Sequence, residues 1–220
     1  MKHIITIAFA ALALLPAHAQ KKPASAGYPI TPVPFTSVKI MNNTFWGQRL
    51  ETSRKVTIPL AFSKCETEGR YKNFERAADN MKHPSDKYNV AKLMPYSFDD
   101  TDPYKTIEGA SYILQTYPDA KLKHYIDSVL DIIATAQEPD GYLYTARTQI
   151  YIHPHPWAGD KRWSKEEDLS HELYNLGHMV EGAVAHWQAT GSRKFLDIAC
   201  RYADCVVKEV GPGKGQACVV

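Results

Sequence analysis

The chain has 220 residues, with 26 lysines and arginines against 24 aspartates and glutamates and a formal net charge of +2. Cations and acids are interspersed, without the basic stripe that a nucleic-acid partner requires, so no nucleic-acid partner is expected. Thirteen tyrosines and four tryptophans suit sugar binding and ordinary packing alike.

Residues 1–19 have the pattern of a secretory signal peptide. Lys2 supplies the positive start, Ile4 to Pro16 is an apolar run too short to span a bilayer, and Ala17-His18-Ala19 offers small residues at a cleavage site. The mature protein is therefore expected to be exported, periplasmic or secreted, with no membrane association after cleavage. Residues 20–34, rich in Pro, Ala and Lys, form a flexible leader. Residues 35–220 are then one domain.

Phe35 to Ile40 alternates weakly and predicts a short extended strand. Phe45-Trp46 opens a helix that Pro59 ends. Residues 65–101, punctuated by Gly69, Pro84, Pro95 and Ser97, are predicted irregular, a loop over a cleft. A helix follows from Pro103 to about Thr116, then a Pro118-Asp119 turn. The next helix, Ala120 to Gln137, is amphipathic, with Leu122, Tyr125, Ile126, Val129, Ile132, Ile133 and Ala136 on one stripe. Pro139-Asp140-Gly141-Tyr142 is a turn. Beyond an aromatic loop holding His153, His155, Trp157 and Trp163, Ser164-Lys165-Glu166-Glu167 fits a capping box. The helix it would start runs to about Ala189 and stops at Thr190-Gly191, and a last amphipathic helix spans Lys194 to Glu209.

Residues 107–133 recur at 180–206 at one constant offset. Ile107-Glu108-Gly109-Ala110 meets Val180-Glu181-Gly182-Ala183, Gln115 meets Gln188, Lys121 meets Lys194 and Asp131 meets Asp204. A repeated helical hairpin implies a stacked or ring-like architecture. Charge-poor helices alternate with helices that have one solvated face, as inner and outer rings demand. The expected fold is all-α, a partial (α/α)6 toroid built from helical hairpins with a short N-terminal extended segment.

On a helical wheel of residues 166–189, Leu169, Leu173, Leu176, Val180, Ala183, Val184 and Trp187 form a stripe facing the outer ring. His171, Asn175, His178 and Gly182 lie opposite, on the face a toroid would turn toward its central cavity. A lone helical histidine is most often a hydrogen-bonded core residue. Two histidines and an asparagine on one cavity wall fit a polar ligand better. A zinc-protease motif is excluded, since Asn175 stands where its second histidine belongs.

Glu108 and Glu181, equivalent in the repeat, are either acid/base groups or, more plainly, structural partners of helix ends and arginines. Asp99, Asp100 and Asp102 precede a helix, where capping explains at least one of them. Trp157 and Trp163 either stack on a sugar ring or close a cleft rim. Cys200 and Cys205, about 140° apart on one helix, should not pair and fit as small buried residues. No metal motif is present.

Several segments resemble the glycoside hydrolase family 127 catalytic domain, whose type members are β-L-arabinofuranosidases. They are Phe98-Asp99-Asp100-Thr101-Asp102-Pro103-Tyr104-Lys105 with Glu108, Ala136 to Leu143, Arg162-Trp163, and His171-Glu172-Leu173-Tyr174-Asn175-Leu176-Gly177-His178 through Gly191. The resemblance implies an (α/α)6 barrel and retaining hydrolysis of plant-derived glycans. It also implies a cysteine thiolate nucleophile held at zinc and a glutamate acid/base. Those catalytic and zinc-ligating residues are expected beyond this segment, because Cys200, Cys205 and Cys218 do not match the family's zinc context. The resemblance places His171 as substrate-binding, and His178, Asn175, Trp163 and Asp102 are the further binding candidates. Six hairpins close such a ring and this sequence holds about two and a half, so the chain is expected to be an N-terminal fragment, inactive alone. Two alternatives remain: another α/α-toroid carbohydrate enzyme, of unsaturated glucuronyl hydrolase or polysaccharide lyase type, and a non-catalytic helical sugar-binding protein.

Overall fold

The structure, a computed structural model, describes residues 30–31, 33–84, 89–211 and 213. The signal-peptide and most of the leader assignments, and Cys218, lie outside the described residues. The chain divides into two units, 1–38 and 39–220. The described part of the first holds one 3-10 turn, Phe35–Ser37, between extended Pro34 and Val38. The strand predicted over Phe35 to Ile40 is thus corrected. Ser37 and Val38 donate back to Pro34 and Phe35 of their own segment and have no partner strand.

In the second unit α1 spans Phe45–Thr52, capped by the Thr44 hydroxyl accepting from the Gly47 N–H. A π-type turn over Ser53–Thr57 joins it to α2, Ile58–Thr67. Pro59 therefore starts a helix instead of ending one. It sits in the first turn of α2, where its missing N–H leaves no partner unserved, and the π turn absorbs the change of register. The segment expected to be irregular contains a further helix, α3, Arg70–Lys82, entered through Gly69 at φ +76°. A short turn, α4, spans Val90–Leu93. Then come α5 (Thr101–Thr116), α6 (Ala120–Thr135), the single turn α7 (Thr145–Thr148), α8 (Glu172–Thr190) and α9 (Lys194–Glu209). Among the described residues there is no strand, and no helix is long and apolar enough to cross a membrane.

The helices form three antiparallel hairpins, α2/α3, α5/α6 and α8/α9. Helices α2, α5 and α8 pack side by side in an inner row, with α3, α6 and α9 behind them. The architecture is all-α and toroid-like. The sequence repeat coincides with the second and third hairpins. Its glycines show what the repeat is for. A Cβ on Gly109 of α5 would stand 3.1 Å from Ile58 Cδ1 of α2, and a Cβ on Gly182 of α8 would stand 2.8 Å from the Tyr104 carbonyl oxygen of α5. Each repeat places glycine where an inner helix meets the inner helix before it.

The outer helices bury one face each. Ile126, Val129, Leu130 and Ile133 of α6 and Phe195, Ile198, Ala199, Tyr202 and Cys205 of α9 are buried. The side chain of Asp119 caps α6 by accepting from the Lys121 and Leu122 N–H groups at 2.9 and 3.1 Å. Gly191, at φ +71°, ends α8. Cys200 is exposed, contrary to the buried place expected for it, while Cys65 and Cys205 are buried; all three are free thiols.

An alanine at 182 must push α8 away from the α5 backbone. Gly182→Ala is expected to cost about 1–3 kcal/mol. Gly177→Ala, on the same helix with nothing within 4 Å of the new methyl, is expected to stabilise by roughly 0.5–1 kcal/mol through helix propensity. Urea unfolding of the two variants measures the contrast.

Candidate functional site

The site is built at the N-terminal end of α8. That helix starts at Glu172, six residues later than the capping-box pattern indicated. The pattern's Glu166 still serves the helix, from a distance. Its carboxylate accepts the backbone N–H of Glu172 at 2.6 Å and of Leu173 at 3.2 Å, and the Ser170 hydroxyl at 2.7 Å. Glu172 faces the other way, fully buried. One of its carboxyl oxygens accepts from the Tyr142 hydroxyl and the other from the Trp163 backbone N–H at 2.8 Å. Burial pushes Glu172 up to about 7, opposed by those two donors.

Between these anchors His171 sits at φ +60°, ψ +30°, a left-handed conformation uncommon outside glycine. It is the N-cap residue and lies off the helical wheel on which the sequence pattern placed it. The Asn175 N–H and Nδ2 both donate to the His171 carbonyl, at 2.9 and 2.7 Å. The His171 Nδ1 atom is buried and has no hydrogen-bond partner among the described residues. The ring stands 5.0 Å from the Phe98 ring and 5.5 Å from the Tyr174 ring, and Tyr174 stands 4.5 Å edge-on to His178. Phe98, His171, Tyr174 and His178 thus form one continuous wall of rings. Lys105 closes its side, donating to the Tyr174 hydroxyl at 2.6 Å with its Nζ 4.8 Å above the ring.

His178 keeps part of its ring exposed and lies 3.5 Å from Glu181. Burial, then the Lys105 charge, depress its pKa below the usual histidine value, so the ring is neutral at physiological pH. Glu108, His178 and Glu181 bring their ligand atoms within 4.8 Å of one another, close enough to share one cation. Glu108 accepts from the Tyr112 hydroxyl at 3.1 Å. The repeat-related glutamates therefore meet on one polar face instead of serving the helix ends or arginines expected of them.

Asp102 is half exposed and receives the Arg70 Nε–H at 2.7 Å, while Asp99 lies 3.2 Å from another Arg70 nitrogen. Burial raises Asp99 to about 6 against the pull of Arg70. Asp100, fully buried, accepts the Thr145 N–H and hydroxyl, and burial raises it to about 7. These acids tie loops and helices together; the side chain of Asp100, the N-cap residue of α5, makes no capping bond. Asp102 and Lys105 line an open cleft of about 310 Å3 with Ala61, Cys65, Arg70 and Thr106.

Three predicted site residues are not in the wall: Asp102 lines the cleft beside it, and Asn175 and Trp163 are buried. Asn175 is 0% exposed and turned toward the interior. Trp163 is 5% exposed, its indole N–H donating to Glu209 at 2.7 Å and its ring stacked on Tyr202. The wheel was out of phase. The exposed stripe of α8 is Tyr174, Gly177, Glu181, Val184 and Gln188, and the buried one is Glu172, Asn175, Met179, Gly182 and His186. Phe98, Tyr174 and Lys105 were the members the pattern missed. Tyr174 was accessible to it, since 171, 174, 178 and 181 also follow three-and-four spacing.

Residues 37–220 match the family described as beta-L-arabinofuranosidase, GH127 catalytic domain. A non-reducing end beta-L-arabinofuranosidase of Bifidobacterium longum subsp. longum is 33% identical over 187 residues, covering 80% of this chain. The chain belongs to the GH127 family. A solved GH127 beta-arabinofuranosidase superposes with a TM-score of 0.82 at 69% identity over 88% of the chain. The GH127 beta-L-arabinofuranosidase of Geobacillus stearothermophilus T6 gives 0.65 at 34% identity over 79%. The chain spans 28% of the Bifidobacterium protein and 29% and 26% of the two solved chains.

The zinc held by cysteine thiolates that the resemblance to this GH127 family implies does not fit the thiols described. Burial pushes both Cys65 and Cys205 up to about 11 without a metal, and among the described residues neither Cys65 nor Cys200 joins a group of ligand atoms close enough to share a cation. Among the described residues the one cation-sized group with a cysteine, Asp140, Cys205 and Glu209, is occupied by Arg162, whose guanidinium reaches Asp140 at 2.6 Å and Glu209 at 3.1 Å.

The Glu172 carboxyl carries a pH signature. Below its unfolded value near 4.5 both states hold the proton. Between 4.5 and about 7 the unfolded chain releases it and the native chain resists, so this group lowers stability as pH rises through that window. Glu172→Gln, whose amide can accept from Trp163 and donate to Tyr142, should remove that loss. The stability of the variant relative to wild type, by urea unfolding at pH 4.5 and 7.5, is expected to be greater at the higher pH.

Proposed function

We propose that this chain supplies one wall of the sugar pocket of an exported glycoside hydrolase that releases L-arabinofuranosyl groups from plant-derived glycans. The observation that carries the reading is His171. A GH127 chain holds this imidazole in a strained backbone conformation between two aromatic rings, Phe98 and Tyr174, with a buried nitrogen that no described protein group uses. A cost of that kind is sustained where a ligand supplies the missing bond.

The chemistry suits a furanose. The imidazole offers a nitrogen to a sugar hydroxyl, Phe98 and Tyr174 offer apolar surface to ring C–H groups, and Lys105 and Asp102 at the cleft offer further hydroxyl partners. In this reading the chain binds, orients and excludes water. The zinc-held thiolate and glutamate acid/base that the resemblance implies would be supplied by other residues than those of this wall. The match to relatives named beta-L-arabinofuranosidases supports the substrate class, and the pattern of residues 1–19 supports export.

Two measurements test it. Asparagine tolerates the left-handed conformation, so His171→Asn in the complete enzyme removes the ring while sparing the backbone. It is expected to lower kcat/KM on an L-arabinofuranoside by about 10- to 100-fold with the unfolding midpoint held; unchanged turnover would remove His171 from the site. Residues 20–220 produced alone are expected to bind the sugar weakly and to hydrolyse none. Turnover by that polypeptide would overturn the division of labour.

A further inference from the structure

We infer that Tyr96 is a stacking platform for a second, neutral sugar unit, the one to which the cleaved arabinofuranosyl group is attached. The inference rests on the reading of His171 as the pocket for the first sugar. Tyr96 extends the ring wall outward. Its ring lies parallel to Phe98, 5.2 Å between centroids and 19° between planes, and Phe98 is 5.0 Å from His171. One ring therefore separates Tyr96 from the imidazole, so a sugar held at His171 has its neighbour in the chain placed over Tyr96.

The platform is rigid and open at once. Ser97, the next residue, and Met94, two residues before it, are both 0% exposed, yet Tyr96 itself is 49% exposed. The Ser97 hydroxyl donates to the Leu169 carbonyl in the loop before α8, which fixes the segment to the same anchor as His171. Trp157 leans against Tyr96 at 6.2 Å, tilted by 46°. Its own position is set by the buried His155, whose Nδ1 accepts the Trp157 N–H at 3.1 Å. A tyrosine braced by two rings and half uncovered maintains apolar surface in water without rearranging to bury it. The C–H face of a sugar ring is the complementary ligand, since it covers an aromatic face and leaves hydroxyls to solvent. Tyr151 and Trp46 are also exposed, but neither joins the stack that leads to His171.

The test compares two substrates in the complete enzyme, methyl L-arabinofuranoside and an L-arabinofuranosyl disaccharide. Tyr96→Ala is expected to lower the ratio of kcat/KM for the disaccharide over the methyl glycoside about five- to tenfold, mainly through KM. Tyr96→Phe, which keeps the face and loses only the hydroxyl, is expected to preserve the wild-type ratio. An unchanged ratio in Tyr96→Ala overturns the platform, as does an equal loss on both substrates. A Tyr96→Phe ratio as low as that of Tyr96→Ala assigns the effect to the hydroxyl and overturns stacking. A wild-type enzyme that cleaves neither substrate overturns the reading of His171, and this inference with it.

Discussion

Close approach of α8 to the backbone of α5 governs what the rest of the molecule can do. Gly182 permits it, at the position where a methyl would meet the Tyr104 carbonyl oxygen at 2.8 Å. Once two helices touch through backbone, their rotation about each other is no longer adjustable. Ala183 behind Gly182 is sealed at 0% exposure, and the residues on the opposite side of α8 must face outward. The repeated Glu-Gly-Ala is then one device used twice. Its glycine sets the helix spacing and its glutamate falls on the polar face, which is why Glu108 and Glu181 converge beside His178 although they come from different hairpins.

The second constraint acts along α8 instead of across it. A helix start without a partner for its free N–H groups would fray, and a residue at φ +60° would relax with it. Here Glu166 takes the N–H groups of Glu172 and Leu173, while the Glu172 carboxyl holds Trp163 and Tyr142 in the packed interior. Tyr142, Trp163 and Tyr202 stack edge and face around it. The strain at His171 is thus balanced by a buried carboxyl with two donors, at the expense of an acid that burial drives up to about 7. Trp163, a sugar-stacking candidate by its sequence context, turns out to belong to the support of the site, not to its surface.

Legibility in the sequence followed the strength of the periodic signal. The amphipathic helices α6 and α9 and the repeat were plain, because one buried stripe and one solvated face leave little choice of register. Helix α3 was hidden. Its sequence, Arg70 to Lys82, is rich in charged and polar residues, and beside Tyr71, Phe74, Ala77 and Ala78 it buries Asn73 and Asn80, whose partners only the fold supplies, such as the Thr148 carbonyl for Asn80 Nδ2. Pro59 misled in the opposite direction, since the same residue that ends a helix also begins one. The phase error on α8 has a similar cause. A helix buried on most sides has no single apolar stripe, so Val180 and Val184 were assigned to the face packed on the outer ring although they are 38% and 37% exposed. Of the site, His171 was visible through a motif, and its neighbour Phe98, 73 residues earlier in the chain, was not visible as a partner at all.

Cysteine chemistry sets the buried thiols apart from the wall around His171. A thiol near 11 is ionised about once in 10^4 molecules at pH 7. Cys65 lies at the cleft beside Asp102, where a carboxylate opposes the thiolate, and Cys205 lies among Asp140 and Glu209 with Arg162 already paired to both. Both environments hold the proton in place, the reverse of what a nucleophile needs. The wall around His171 has the opposite character, with neutral rings, an unused nitrogen and a lysine engaged with a tyrosine hydroxyl. Such a surface offers apolar ring faces and an unpartnered nitrogen. In a ring of hairpins each inner helix presents its end to the same opening, so recognition and bond cleavage can be carried by different hairpins, provided that the spacing between them is as rigid as the contact at Gly182 makes it between α5 and α8.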